Sequence, residues 1–280
     1  MLSTRVAVGY RRYHAERNGF GYRKHLPVGR HFTYKSNMTL IAELLRGFSQ
    51  LIYPNLCWAC HTVMGPDGGL FCGDCLPQLT IDLFPTCPRC SSSVGPYVVL
   101  NKGCTQCTDH TFGFDGAFRA GPYDGLLREV ILRMKAWPGE DLTEALATVW
   151  ANAMAERLKP LTADCVIPIP LHWRRRWWRG FNQSEILSLA LAKKLDVPCL
   201  LKALQRTRHT ASQTAQSSAT GRKENVHNAF ETAKSLDLAG KTVLLVDDVL
   251  TTGATASEAA KALRMHKPKA IYAVVVAHGR

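Results

Sequence analysis

A chain of 280 residues, 46% of them hydrophobic, is long enough for one large domain or for a medium domain with a small module. The formal charge of +13 suggests a nucleic-acid partner, but residues 1–37 hold eight Lys/Arg against one acid, and from Met38 onward 27 basic residues face 21 acidic ones, so the body is only mildly basic. The longest apolar run, Ala270–Ala277, is far short of the roughly 20 residues of a spanning helix, and no transmembrane segment is expected.

Residues 1–37 lack the apolar core of a secretory signal. They read as a disordered tail or a start assigned too far upstream, with an Arg-rich organellar transit peptide as the alternative. Met38 opens an apolar, helix-like stretch, MTLIAELLRGF, ahead of the first cysteine. Without an export signal the expected compartment is the reducing cytoplasm, with a peripheral position at the inner face of the membrane also open.

Eight of the ten cysteines form four C-x-x-C pairs: Cys57/Cys60, Cys72/Cys75, Cys87/Cys90 and Cys104/Cys107, separated by 11, 11 and 13 residues. Two thiolates three positions apart grip one metal from a tight turn, and two such turns complete a tetrahedral shell suited to Zn²⁺. Disulfides would need an oxidising compartment, and a redox site would normally be a single pair. Two closed four-cysteine sites leave no position for a catalytic water, so the expected role is structural. Spacing allows three ways of joining the pairs, and sequential pairing is the expectation. Cys165 and Cys199 lie in apolar, strand-like surroundings and read as inert core thiols.

Beyond Cys107 the pattern turns to alternating strands and helices. Asp115–Ala120 reads as a strand, Gly125–Lys135 and Leu142–Leu158 as helices, the second closed by Pro160, and Asp164–Pro170 as an apolar strand. A basic, aromatic loop then leads into a helix over Asn182–Leu195. The polar stretch Arg206–Asn228 reads as a lid, with a surface linker as the alternative. Strand Thr242–Val246, helix Thr255–Met265 and strand Ala270–Val276 close the chain. This order predicts an α/β fold with a mainly parallel sheet flanked by helices.

In VLLVDDVLTTGAT (Val243–Thr255) a buried strand runs into two carboxylates, Asp247 and Asp248, where open α/β sheets bind ligands. Adjacent acids there can accept hydrogen bonds from two ribose hydroxyls and can reach Mg²⁺. The loop Thr251-Thr252-Gly253-Ala254-Thr255 offers backbone amides, hydroxyls and a helix N-terminus to one phosphate. In the basic loop, Arg174, Arg175, Arg176 and Arg179 alternate with Trp173, Trp177, Trp178 and Phe181. Cations with aromatic faces suit single-stranded nucleic acid; a solvated basic face with packed tryptophans is the plain alternative.

The acid pair and threonine loop resemble the phosphoribosyltransferase signature. That resemblance implies a type I phosphoribosyltransferase-like sheet in which Asp247 and Asp248 hold the ribose of phosphoribosyl diphosphate, with Mg²⁺, and Thr251–Thr255 hold its 5′-phosphate. It also implies that Pro170–Gly180 takes the diphosphate leaving group, with Arg179 neutralising the departing charge. The order of landmarks — cysteine module, VIPIP, RGFNQ (Arg179–Gln183), Arg206/Thr210/Gln213, Arg222/Asn225, then the acid pair — resembles the ComF/GntX family. The division this implies is an extension over 1–37, an N-terminal helix and double zinc ribbon with two Zn²⁺ over 38–110, and the phosphoribosyltransferase-like domain over 111–280. The resemblance further implies binding of phosphoribosyl diphosphate and single-stranded DNA, and a part in DNA uptake or utilisation alongside the uptake machinery. An active phosphoribosyltransferase with an unidentified acceptor and a phosphoribosyl-diphosphate-sensing regulator stand as the other readings.

Overall fold

The computed structural model describes residues 54–65, 68–98, 100, 103–171, 180–207 and 229–279. The expectations for residues 1–37, for the stretch from Met38, for Trp173–Arg179 and for Thr210, Gln213, Arg222 and Asn225 lie outside these residues. The described residues belong to one compact unit, Arg46–Arg280.

The cysteine-rich segment holds a short helix, α1 (Cys75–Thr80), followed by β1 (Gly116–Pro122), α2 (Gly125–Met134) and α3 (Glu140–Leu158). Next come β2 (Cys165–Pro168), α4 (Gln183–Leu195), β3 (Leu204–Arg206), β4 (Phe230–Thr232), β5 (Thr242–Leu250), α5 (Ala254–Arg264) and β6 (Ala270–His278). Four strands form a parallel sheet in the order β1-β6-β5-β2, and β3 pairs with β4 as a separate antiparallel ribbon. Helical periodicity places α2, α3 and α4 within one or two residues of expectation. In α2, Asp124 caps the first amide, and Leu127, Val130, Ile131 and Met134 form the buried stripe.

Strand β5 runs further than its apolar run. Val243–Val246 are fully buried, but pairing with β6 continues through Asp247↔Val275 to Leu250↔His278. The acid pair therefore lies inside the ladder, because β6 is equally long and goes on supplying backbone partners.

The cysteine-rich segment is part of the same body. Cys57, Ala59, Phe71, Cys75 and Leu79 belong to the main core, which also contains Leu127, Trp150, Leu187 and Val246. Arg133 of α2 donates to the carbonyls of Ala59 at 2.7 Å and Trp58 at 2.9 Å. Strand β1 is an edge strand, yet its outer side is engaged by the Ala117 amide donating to Pro88 O at 3.1 Å. A Cβ on Gly116 would sit 2.8 Å from that same oxygen, so the close approach needs glycine.

One buried ion pair joins the two parts. Arg119 of β1, 1% exposed, donates through Nε to Asp82 Oδ2 at 2.8 Å and through Nη2 to Ser93 Oγ at 2.7 Å. The Asp82 side chain is 4% exposed. Removing one partner strands the other charge in a poorly solvated place, at about 3–5 kcal/mol. Arg119→Met should lower the unfolding free energy in urea by about that much, and adding Asp82→Leu should restore most of it. Equal stability of Arg119→Met and the native protein would show that the pair is not a structural tie.

Candidate ligand site and metal centres

The four C-x-x-C pairs assemble sequentially. The sulfurs of Cys57, Cys60, Cys72 and Cys75 lie within 4.8 Å of one another, as do those of Cys87, Cys90, Cys104 and Cys107. Within the clusters, Cys60–Cys72 sulfurs lie 3.7 Å apart, Cys87–Cys107 and Cys104–Cys107 3.8 Å, and Cys90–Cys104 3.5 Å. A tetrahedral Zn–S shell with bonds of about 2.3 Å requires sulfur separations of about 3.8 Å. A disulfide would need about 2 Å, and every cysteine is a free thiol. The donor sets therefore fit two structural Zn²⁺ ions.

The two centres are built alike. Each leading pair ends in a knuckle whose next residue has positive φ, His61 at 61° and Ser91 at 63°. In each, the first cysteine's amide reaches back across the knuckle, Cys57 N to Thr62 O at 3.0 Å and Cys87 N to Ser92 O at 2.9 Å. Cys165 and Cys199 stand apart, and burial pushes both thiols up to about 11, which keeps them unreactive at neutral pH.

At the far end of β5, Asp247 and Asp248 meet two side chains that local pattern does not single out. Lys135 Nζ lies 2.8 Å from Asp248 Oδ2, and Ser184 Oγ donates to Asp247 Oδ1 at 2.9 Å. The Asp248 amide donates to Asp247 Oδ1 as well, at 2.9 Å. Burial and the neighbouring Asp248 charge push the Asp247 carboxyl up to about 7. Burial works against the Lys135 ammonium, but the Asp248 carboxylate outweighs it and raises the lysine above its ordinary value.

The RGFNQ landmark has a structural explanation in its last two residues. Asn182 caps α4, its side chain accepting from the Ser184 amide at 3.1 Å. Gln183, 1% exposed, donates to Met134 O at 3.1 Å and so ties down the residue before Lys135. Arg179 and the basic residues Arg174, Arg175, Arg176 with Trp177 and Trp178 lie outside the described residues. The only sequence signals for Ser184 and Lys135 were their positions, one just after RGFNQ and the other at the end of α2.

The threonine loop turns into α5 at Gly253, whose φ of 73° is left-handed. A Cβ there would sit 2.9 Å from Phe112 Cε1, so both conformation and space demand glycine. Thr252 Oγ1 accepts weakly from the Ala254 amide at 3.4 Å. Helix α5 begins one residue earlier than its pattern suggests, at Ala254, so Thr255 lies in the first turn, where amides and helix dipole favour an anion. The chain from the second cysteine cluster backs this loop. Phe112 stacks on Phe114 at 4.7 Å, and Arg89 holds the carbonyls of Cys107, at 3.0 Å, and His110.

Residues 182–280 match the phosphoribosyl transferase domain family, and residues 48–111 match the double zinc ribbon domain family. The chain is 34% identical over 198 residues to competence protein F of Haemophilus influenzae, covering 69% of this chain and 83% of that protein. It is 31% identical over 216 residues to DNA utilization protein YhgH of Escherichia coli K12, covering 76% and 92%. With competence protein ComFC of Bacillus subtilis it shares 25% identity over 148 residues, covering 53% and 57%.

Metal analysis of the purified protein should find about two zinc ions per chain. Cys90→Ser combined with Cys104→Ser should leave about one and lower the melting temperature. A content near zero in protein purified under reducing, chelator-free conditions would remove the structural-zinc assignment.

Proposed function

Because the chain belongs to the ComF family of competence and DNA-utilisation proteins, we propose that it binds phosphoribosyl diphosphate with Mg²⁺ and handles single-stranded DNA during uptake or utilisation. The observation that carries the first part is the acid pair of β5 running directly into the threonine loop and α5. Asp247 and Asp248 would accept the two ribose hydroxyls, and Thr251–Thr255 would hold the 5′-phosphate through backbone amides and hydroxyls. Ser184 and Lys135 orient the two carboxylates. Mg²⁺, bound with the ligand, would neutralise the diphosphate charge. The residues fit such a pairing, since hydroxyl donors and a divalent cation would offset the burial and the neighbouring Asp248 charge that raise Asp247.

Arg179 is assigned to the departing diphosphate by family resemblance, and Arg174–Arg176 with Trp177 and Trp178 to phosphates and bases of a DNA strand. The competence and DNA-utilisation names of the relatives support a DNA-linked role, and contact with DNA-uptake machinery is part of the same reading. Among the described residues no helix is long and apolar enough to cross a membrane. A cytoplasmic protein, working at the inner membrane face where a strand enters, suits the proposal. A transferase activity is the second reading, favoured by a cleft of about 470 Å³ that shares Ser92, Gln106 and His278 with a smaller cavity lined by Thr251, Thr252 and Gly253.

Calorimetric titration of the full chain with phosphoribosyl diphosphate and Mg²⁺ should give a saturable, one-to-one signal. Asp247→Asn/Asp248→Asn should abolish it, and Gly253→Ala should weaken it at least tenfold, because a left-handed backbone costs an ordinary residue about 1–2 kcal/mol before any clash with Phe112. No heat with the native chain would defeat the ligand assignment.

Binding to a labelled oligo-dT should weaken linearly in log[salt]. Neutralising Arg174, Arg175, Arg176 and Arg179 should flatten the slope by about 3, from about 0.7 per single-strand phosphate contact. An unchanged slope would move the DNA-binding surface elsewhere.

A further inference from the structure

The two four-cysteine clusters are alike in build and differ in access. In the second, Cys87, Cys90, Cys104 and Cys107 are all buried. In the first, Cys57 and Cys75 are buried, but Cys72 is half-buried and Cys60 is exposed, the one exposed cysteine among the described residues. This accessible pair comes from opposite halves of the cluster, and its sulfurs lie 3.7 Å apart. A disulfide bond of about 2 Å is a small shift away from that separation. An oxidant in solution therefore meets one ribbon and not the other, since thiol oxidation follows access.

The first knuckle carries more than metal ligands. Arg133, in the last turn of α2, donates to Ala59 O at 2.7 Å, to Trp58 O at 2.9 Å and to His61 Nε2 at 3.0 Å. Trp58 and Ala59 lie between Cys57 and Cys60, and His61 follows directly with its left-handed φ of 61°. All three acceptors keep their places only while the turn keeps its shape. On the other side of Arg133 the chain leads straight to the acid pair. Gln183 holds the Met134 carbonyl, and Lys135 Nζ meets Asp248 Oδ2. Only Met134 separates the arginine that grips the knuckle from the lysine that neutralises Asp248.

We propose that Cys60 and Cys72 form an oxidation site for a hydroperoxide, and that joining them loosens Arg133 and, through it, Lys135. The Cys60 thiolate attacks one peroxide oxygen; an S–O bond forms, the O–O bond breaks and hydroxide leaves with the electron pair. The Cys72 thiolate then attacks the Cys60 sulfur, an S–S bond forms, the S–O bond breaks and a second hydroxide leaves. Two electrons pass from the sulfurs to the peroxide, and both hydroxides are protonated to water.

Cys57 and Cys75 alone do not complete a tetrahedral shell, so the first cluster no longer retains a metal ion. The knuckle is then free to unwind, and the carbonyls of Trp58 and Ala59 leave Arg133. Lys135 loses its anchor next, and with it the cation that holds Asp248 in place. Ser184 stays, because it holds Asp247 from α4, away from the knuckle. The second ribbon is spared, so Phe112 remains against Gly253. The oxidised protein is thus altered at the acid pair and intact at the threonine loop, and a reductant with Zn²⁺ reverses the change. The consequence for ligand affinity rests on the phosphoribosyl-diphosphate reading of the acid pair; the oxidation site does not.

The test treats the full, zinc-loaded chain with hydrogen peroxide, follows zinc release with a chromogenic chelator and maps disulfides by mass spectrometry. About one zinc ion per chain should leave as a Cys60–Cys72 disulfide forms, while the four cysteines of the second cluster stay reduced. Hydrogen exchange over residues 132–136 should speed up on oxidation and slow again after reduction with added Zn²⁺. Arg133→Met should show the fast exchange before any peroxide is added and no further change after it. The Kd for phosphoribosyl diphosphate with Mg²⁺ should rise at least about fivefold on oxidation, the low end of ordinary coupling between sites. Loss of both zinc ions together, loss of neither, or a disulfide that does not join Cys60 to Cys72 would overturn the oxidation site. Unchanged exchange over 132–136, or an unchanged Kd in the oxidised chain, would overturn the relay through Arg133. If the reduced chain does not bind phosphoribosyl diphosphate at all, the ligand reading falls, and zinc release with hydrogen exchange still decides the oxidation site and the relay.

Discussion

Asp247 and Asp248 stand next to each other at the end of a strand that is otherwise buried, where desolvation and mutual repulsion both work against two ionised carboxylates. Everything around them offsets that repulsion. The Lys135 ammonium takes one carboxylate, while the Ser184 hydroxyl and the Asp248 amide take the other. Even so, burial and the neighbouring Asp248 charge push the Asp247 carboxyl up to about 7. Two helices are located by this arrangement. The C-terminal end of α2 must deliver Lys135, and the first turn of α4 must deliver Ser184. Gln183 links them by holding the Met134 carbonyl, so one sequence landmark fixes both partners of the acid pair.

A parallel sheet also has to manage its edges. On the β1 side the second ribbon does so, with Pro88 O receiving the Ala117 amide and Gly116 permitting the approach. Pro88 lies inside a C-x-x-C knuckle, so the geometry of that edge depends on the thiolate cluster. The first ribbon is tied in differently, through apolar burial in the main core and the Arg133 hydrogen bonds. The zinc centres therefore stabilise a shared interior, and the boundary that composition suggests near residue 110 is no gap in packing.

Much of this was legible before the structure because it is local. Residues of α2 and α3 recur at helical spacing and are bounded by Asp124 and by Pro160. The strand–acid–threonine segment carries its chemistry in thirteen consecutive residues. Local signals failed where partners are distant. Arg119 reads as a lone basic residue in an apolar strand, because Asp82 lies 37 positions earlier. Lys135 reads as an ordinary basic helix end. Three-residue strands such as β3 and β4 show too little alternation to be recognised. The apolar pattern ends β5 too early for a related reason: hydropathy stops at Val246, whereas the hydrogen-bond ladder is decided by the length of β6. Cysteine spacing was compatible with three pairings, and only the folded chain selects the sequential one.

The connection between Cys107 and β1 joins these two themes. Arg89 fixes the Cys107 and His110 carbonyls, and the ring of Phe112 then lies against Gly253, where no side chain would fit. Further along, the Gly113 amide donates to Ser257 Oγ at 2.8 Å, and Asp115 pairs with Arg264, so the same stretch is clamped to α5 at both ends of the helix. A phosphate loop built on a left-handed glycine has little intrinsic rigidity. Here an aromatic ring delivered by the cysteine ribbon packs against that glycine. Zinc in the second cluster and the anion proposed for Thr251–Thr255 would act on one packed contact, and thermodynamic linkage would make any effect of the first on the second reciprocal. That contact gives a physical reason for a small zinc-ribbon module to precede this sheet in one chain: the ribbon supplies the back wall that the loop lacks.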